Sequence, residues 1–199
     1  MPTEDDQTAV RPGLRDRTRA ARRAAMVEAA MTLFEQQGYD NVTVADICDK
    51  ASVSPRTFFR YFATKDDLLA EPTREMYHQI VDAIDTAPTG LGDEATMTHA
   101  LLSLGDYVID HQERLLTFVR VTAVTEAGRR QAFGRFFTIE RELADRISTK
   151  NGSRPAGEPD WQLRLIVGRA LVAYRVWLDD LLRLDLPNPH EHLIAILTA

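Results

Sequence analysis

The sequence predicts an all-α fold, with three short N-terminal helices followed by a larger helical body. Three observations carry that expectation. Apolar residues recur at helical spacing along nearly all of the 199 residues, and no run alternates with period two. Glycines and capping residues stand at the edges of those stripes. Charge is also divided unevenly along the chain. Residues 11–65 hold ten Lys/Arg against six Asp/Glu, a net +4. Residues 66–199 hold fourteen against twenty-one, a net −7, and residues 1–10 add −3 to give the overall −6. This reads as a small anion-binding module joined to a larger module with a different task. Residues 1–16 are expected to form a flexible arm, 17–64 the small domain and 65–199 the body.

The elements follow in order. Met26, Ala29, Ala30, Leu33 and Phe34 form the apolar face of a first helix over 18–37, which Gly38 ends as a left-handed cap. Thr43 with Asp46 marks the start of a second helix reaching Ala51. After Ala51-Ser52-Val53, Ser54 caps a third helix with Pro55 in its first turn. Thr64 with Asp67 opens a fourth helix over 65–86. Pro72 inside it demands a kink or a division into two, because an interior proline removes a hydrogen bond and clashes with the preceding turn. Helices over 95–111, 113–124 and 127–148 follow, then a loop over 150–160. A long apolar helix over 161–184 and a short one over 190–198 complete the body, separated by Pro187 and Pro189.

Several function classes are excluded. No stretch approaches the ~18 uncharged apolar residues that would span a bilayer. The polar, acid-led N-terminus lacks the apolar core of a secretory signal, so a cytoplasmic protein is expected. The single Cys48 excludes a disulfide framework and a multi-cysteine metal site, and on its short helix it reads as a small core residue. The five histidines, His78, His99, His111, His190 and His192, form no metal-binding signature. There is no glycine-rich phosphate loop and no nucleophile elbow. The chain is expected to be no enzyme and to need no cofactor or metal.

Two short helices joined by a tight turn describe a helix-turn-helix, whose second helix enters a DNA major groove. The helix after Ser54 carries Arg56, Thr57 and Arg60, side chains that donate to base edges and phosphates. Arg11, Arg15, Arg19 and Arg22 would line one edge of the first helix and the arm before it. A solvated arginine-rich face would produce the same count, so the arginines alone leave both readings open.

The residues themselves go further. Phe34 with Gly38-Tyr39, Thr43-Val44, Ile47 and Ala51 begin a pattern. It continues through Val53-Ser54-Pro55, Thr57-Phe58-Phe59-Arg60-Tyr61-Phe62 and Lys65 with Leu68-Leu69. Over residues 17–69, about a quarter of the chain, this resembles the DNA-binding domain of the TetR family of bacterial transcriptional regulators. The resemblance implies a recognition helix over 54–61, opened by Ser54 and Pro55, with Arg56, Thr57 and Arg60 toward bases or an adjacent phosphate. It implies a phosphate contact at Thr43 and a backbone-clamping role for Lys65. Three departures stand out. Ser52 occupies a turn position often held by glycine. Phe59 stands where a phosphate-contacting tyrosine is common, leaving it to stack on sugar or touch a thymine methyl while Tyr61 assumes part of the polar role. Cys48 stands where alanine is common.

In that family the body dimerises and binds ligands. The helix over 161–184 is apolar on most sides and, with 190–198, resembles the pair that forms a dimer interface; burial within one chain would explain it equally. Tyr107, Phe118, Phe133, Phe136, Phe137, Tyr174 and Trp177 supply enough aromatic surface to line a cavity, and equally enough to fill a core. Arg120, Arg141, Glu126 and Glu140 could fix a polar ligand group. The expected function is a homodimeric, ligand-responsive repressor that binds a pseudo-palindromic DNA operator. The alternative is a helical protein-interaction scaffold, which leaves the basic segment unexplained.

Overall fold

The computed structural model describes residues 14–153 and 161–199, and within helices the side chains at 14–17, 123–124 and 127–137 lie outside that description. All regular structure among the described residues is helical. The chain divides between Thr64 and Lys65 into two compact units.

In the first unit, α1 (Leu14–Gln37) begins earlier than the sequence pattern suggests and ends at Gly38 as expected. Gly38 takes φ 81° and ψ 146°, a region essentially reserved for glycine, and its amide still bonds the Phe34 carbonyl at 2.9 Å. The chain therefore leaves the helix in extended form rather than through the left-handed cap predicted. A 3-10 turn at Tyr39–Asn41 leads to α2 (Val44–Lys50) and α3 (Pro55–Tyr61). Met26, Ala30, Leu33, Phe34, Val42, Ile47, Phe58 and Phe62 are buried and form this unit's apolar core, with Cys48 among them. Burial pushes the Cys48 thiol up, away from the thiolate that redox chemistry needs.

The second unit opens with α4 (Asp66–Leu69) and α5 (Glu71–Thr86), so the single helix predicted over 65–86 is two. Pro72 is the cause. The chain breaks at Ala70 and restarts so that Pro72 falls in the first turn of α5, where no backbone donor is required. The cap predicted at Thr64 is also displaced: Lys65 holds the N-cap position and its side chain makes no capping bond.

Five helices follow: α6 (Asp93–Asp110), α7 (Gln112–Val124), α8 (Glu126–Asn151), α9 (Trp161–Arg183) and α10 (Pro189–Leu197). The predicted loop loses its first two residues to α8, and residues 154–160 lie outside the described part. Helix α6 packs against α5, α7, α8, α9 and α10 and supplies Met97, Ala100, Leu101, Leu104 and Val108 to the core. Gly105 on α6 lets α10 approach closely; a Cβ there would lie 2.3 Å from Leu193 Cδ2. Polar ties join distant segments. The Arg146 Nε donates to Asp85 at 2.7 Å, and Asn151 donates to Asp93 at 2.8 Å and to the buried Thr96 at 3.2 Å.

Candidate nucleic-acid interface

The joint between α2 and α3 is fixed by backbone bonds. The Val53 amide reaches the Cys48 carbonyl at 2.9 Å and the Ser52 amide reaches Asp49 at 3.2 Å. That pair is a Schellman motif, and it demands a left-handed residue at Ser52, which takes φ 53°. The departure seen in the sequence therefore places a serine under mild backbone strain.

Helix α3 is set by its cap. The Ser54 hydroxyl accepts from the Thr57 amide at 3.2 Å and shares a 3.0 Å bond with the Thr57 hydroxyl, while Pro55 occupies the first helical position. Phe58 faces inward and is fully buried. Arg56, Phe59 and Arg60, at i, i+3 and i+4, share the opposite, exposed face. Phe59 is 57% exposed, its ring held edge-on against Phe58 with centroids 5.4 Å apart. The Arg60 guanidinium lies over the half-buried Tyr61 ring at 5.3 Å. This face has two cations and one apolar ring, suited to acceptor-rich base edges, phosphates and thymine methyls.

Two residues expected here are held differently. The Thr43 hydroxyl donates to Asp46 Oδ2 at 2.6 Å and its amide donates to the same oxygen at 2.8 Å. The Asp46 amide returns a bond to the Thr43 hydroxyl at 3.2 Å, closing a capping box. Bonds from the Thr43 hydroxyl and amide hold the Asp46 carboxyl below its ordinary value. The hydroxyl proton is thus committed to an anion at the helix start, which works against a phosphate contact through it. Thr57 is only half-buried, and its hydroxyl is engaged with Ser54. Arg19 and Arg22 are exposed, whereas Arg11 and the Arg15 side chain lie outside the described residues. Lys65 belongs to the second unit, at the head of α4.

In the body, the aromatics expected to line a cavity separate into distinct roles. Trp177 is fully buried and its indole donates to the Pro189 carbonyl at 2.8 Å, so it fastens α10 rather than facing a cavity. Phe118 is buried as well. The Tyr107 hydroxyl donates to Glu75, whose carboxylate also receives two Arg114 bonds at 2.9 and 2.7 Å. Burial, then the neighbouring Glu75, pushes Tyr107 up to about 12. Tyr174 is 5% exposed, and its hydroxyl has no hydrogen-bond partner among the described residues. The side chains of Phe133, Phe136 and Phe137 lie outside the described residues. Glu140, read as a ligand-fixing group, is instead paired with Arg164 at 2.9 Å. A cavity of about 390 Å³ between α5 and α8 is lined by Thr73, Arg74, Tyr77, His78, Ile139 and Glu142 with Thr138, none of them expected from the sequence to bind a ligand.

The family model described as "Bacterial regulatory proteins, tetR family" matches residues 26–71, the span holding α2, α3 and the turn between them. The match to that family covers these residues alone, under a quarter of the chain. The HTH-type transcriptional regulator TcmR of Streptomyces glaucescens is 37% identical over 79 residues. That alignment covers 40% of this chain, and this chain spans only 35% of the length of TcmR. MftR of Mycobacterium tuberculosis, named for a candidate role in regulating mycofactocin biosynthesis, is 25% identical over 156 residues, covering 77% of this chain and 78% of MftR. The fold is shared with a candidate TetR-family transcriptional regulator from Syntrophomonas wolfei. The TM-score is 0.64 at 17% identity, over 90% of this chain and 93% of that one. The helix-turn-helix and the all-helical body expected from the sequence are thus both present. Sequence reading missed Arg23, which stands at i−3 to Met26 and i−7 to Ala30; a cation heading a buried stripe was the available signal.

Proposed function

We propose that this protein is a transcriptional regulator, a repressor acting in the cytoplasm as a homodimer on a pseudo-palindromic DNA operator. The carrying observation is the exposed Arg56, Phe59 and Arg60 face of α3, on a helix whose other side is locked into a buried core. Ser54, Pro55, Thr57 and Tyr61 frame that face, and Lys65 adds a phosphate clamp. The acidic body repels DNA and so favours the orientation that presents α3. An interaction scaffold without DNA specificity has no use for this cationic face. Nor is any catalytic role proposed.

Dimerisation is assigned to α9 and α10. Trp161, Leu165, Val172 and Val176 are exposed at spacings of four, seven and four, which places them on one face of α9, and Ile194 is exposed on α10. Trp161, Leu165 and Val172 line an open groove of about 740 Å³ together with Gly168 and Arg169. Exposed apolar side chains aligned in this way suit a second copy of the same helix pair. Release from DNA is assigned to a small molecule that prefers one of two conformations of the body. The 390 Å³ cavity between α5 and α8 is of a size to hold it.

Selection of full-length protein on a pool of randomised duplexes tests the function. The expected enrichment is a motif with two-fold symmetry and half-sites about one helical turn apart. A pool that emerges without sequence preference would overturn the reading.

A further inference from the structure

Arg23 differs from the arginines beside it on α1. Arg19 and Arg22 are exposed, whereas Arg23 is half-buried and turned into its own domain. Its Nη1 donates to the Tyr61 carbonyl at 3.4 Å, and its guanidinium carbon lies 4.6 Å from the centroid of the Phe62 ring. Tyr61 is the last residue of α3, where carbonyls have no amide of their own helix to accept from and where the helix dipole favours a cation. Phe62 is 2% exposed, its amide bonds the Phe58 carbonyl at 3.0 Å, and its ring packs on Phe58 at 5.6 Å. Phe58 in turn holds the Phe59 ring edge-on.

A continuous set of contacts therefore runs from the Arg23 guanidinium, through Phe62 and Phe58, to the exposed face of α3. The helix has only seven residues, too few to hold its own angle. Its N-terminal end is tied locally by Ser54, and Arg23 supplies a tertiary tie at the other end. The planar guanidinium can lie on a ring and donate in-plane to a carbonyl at once, which an ammonium cannot do.

We propose that Arg23 is a positioning residue that locks the C-terminal end of α3 onto α1 and so sets the angle at which Arg56, Phe59 and Arg60 meet DNA. This rests on the DNA-binding reading above. Its charge is spent inside the domain and not on a phosphate.

The test uses the full chain as wild type, Arg23→Met and Arg23→Lys. Each is titrated against the selected duplex and a scrambled duplex over a salt series, with amide hydrogen exchange measured in the absence of DNA. For Arg23→Met, affinity for the selected duplex should fall about tenfold, equivalent to one lost base contact. Affinity for the scrambled duplex and the salt slope should stay unchanged. Exchange at the Phe58 to Phe62 amides should quicken while that at Ile47 to Lys50 does not. Arg23→Lys should resemble Arg23→Met. Equal loss on both duplexes with the salt slope reduced by about one, rescued by lysine, would make Arg23 a phosphate contact and overturn the proposal. So would a lowered melting temperature with duplex preference intact, or an α3 exchange rate that does not change. If wild type itself shows no preference between duplexes, the DNA-binding reading fails, and the exchange measurement still decides whether Arg23 holds α3.

Discussion

The two units are held together on different length scales. In the helix-turn-helix, most fixing bonds are local: Thr43 to Asp46 and Ser54 to Thr57 span three residues, and Val53 to Cys48 spans five. The body adds bonds that reach much further: Glu75 to Arg114 spans 39 residues, Asp85 to Arg146 spans 61, and Asp106 to His190 spans 84. A domain specified locally holds a fixed recognition geometry. A body tied by long-range contacts between helices can repack, which is what a ligand-responsive switch requires.

Substitutions can break or sharpen that contrast. The largest effect is expected from Trp177→Ala. It empties a fully buried site and leaves the Pro189 carbonyl without its donor, at about 3–5 kcal/mol. Thermal unfolding followed by circular dichroism should show the body melting early while α1 to α3 retain their transition. Loss of both transitions together would show that the units are not independently specified.

Val172→Glu places a carboxylate on the exposed stripe of α9. Its cost should appear as roughly 2 kcal/mol or more of lost self-association, read by light scattering, with the melting of the isolated chain unaltered. Arg56→Ala should cost about 1–3 kcal/mol of operator affinity and relax specificity at one or two base pairs. Uniform weakening on every sequence would instead mark Arg56 as a phosphate contact.

The cap of α2 should matter less. Thr43→Ala is expected to cost about 1 kcal/mol of stability in the N-terminal unit. Because the folded Asp46 carboxyl lies below its ordinary value, its contribution is complete above that ordinary value and is lost as pH falls through the lowered one. Thr43→Ala should therefore flatten the acid limb of the stability profile. Ser52→Gly should have the smallest effect, a gain of a few tenths of a kcal/mol in chemical denaturation. Relief of the left-handed strain at φ 53° outweighs the entropy that glycine adds to the unfolded chain.

The same difference in length scale explains what the sequence disclosed. Thr43, Ser54, Pro55 and Gly38 act on residues within a few positions, so the starts of α2 and α3 and the end of α1 could be placed from residue types alone. Arg23 lies 38 residues from its carbonyl partner and was missed for the same reason as the ion pairs of the body. Pro72 announced a break in the fourth helix without saying which kind; the one-residue division at Ala70 depends on where the proline can avoid needing a donor. The body aromatics were visible as a set, but their separation into a fastener for α10, a hydrogen-bonded cluster on α5 to α7 and a buried hydroxyl at Tyr174 depends on helix packing. The same holds for the close approach of Leu193 to Gly105.

The central claim is that α3 reads DNA sequence. Fluorescence anisotropy of the full chain on DNA flanking its own gene, beside a scrambled duplex and across a salt series, tests it most directly. The account predicts tight, salt-sensitive binding that favours the flanking DNA. Absence of binding to either duplex at low salt would contradict it and leave the exposed face of α3 to a protein partner.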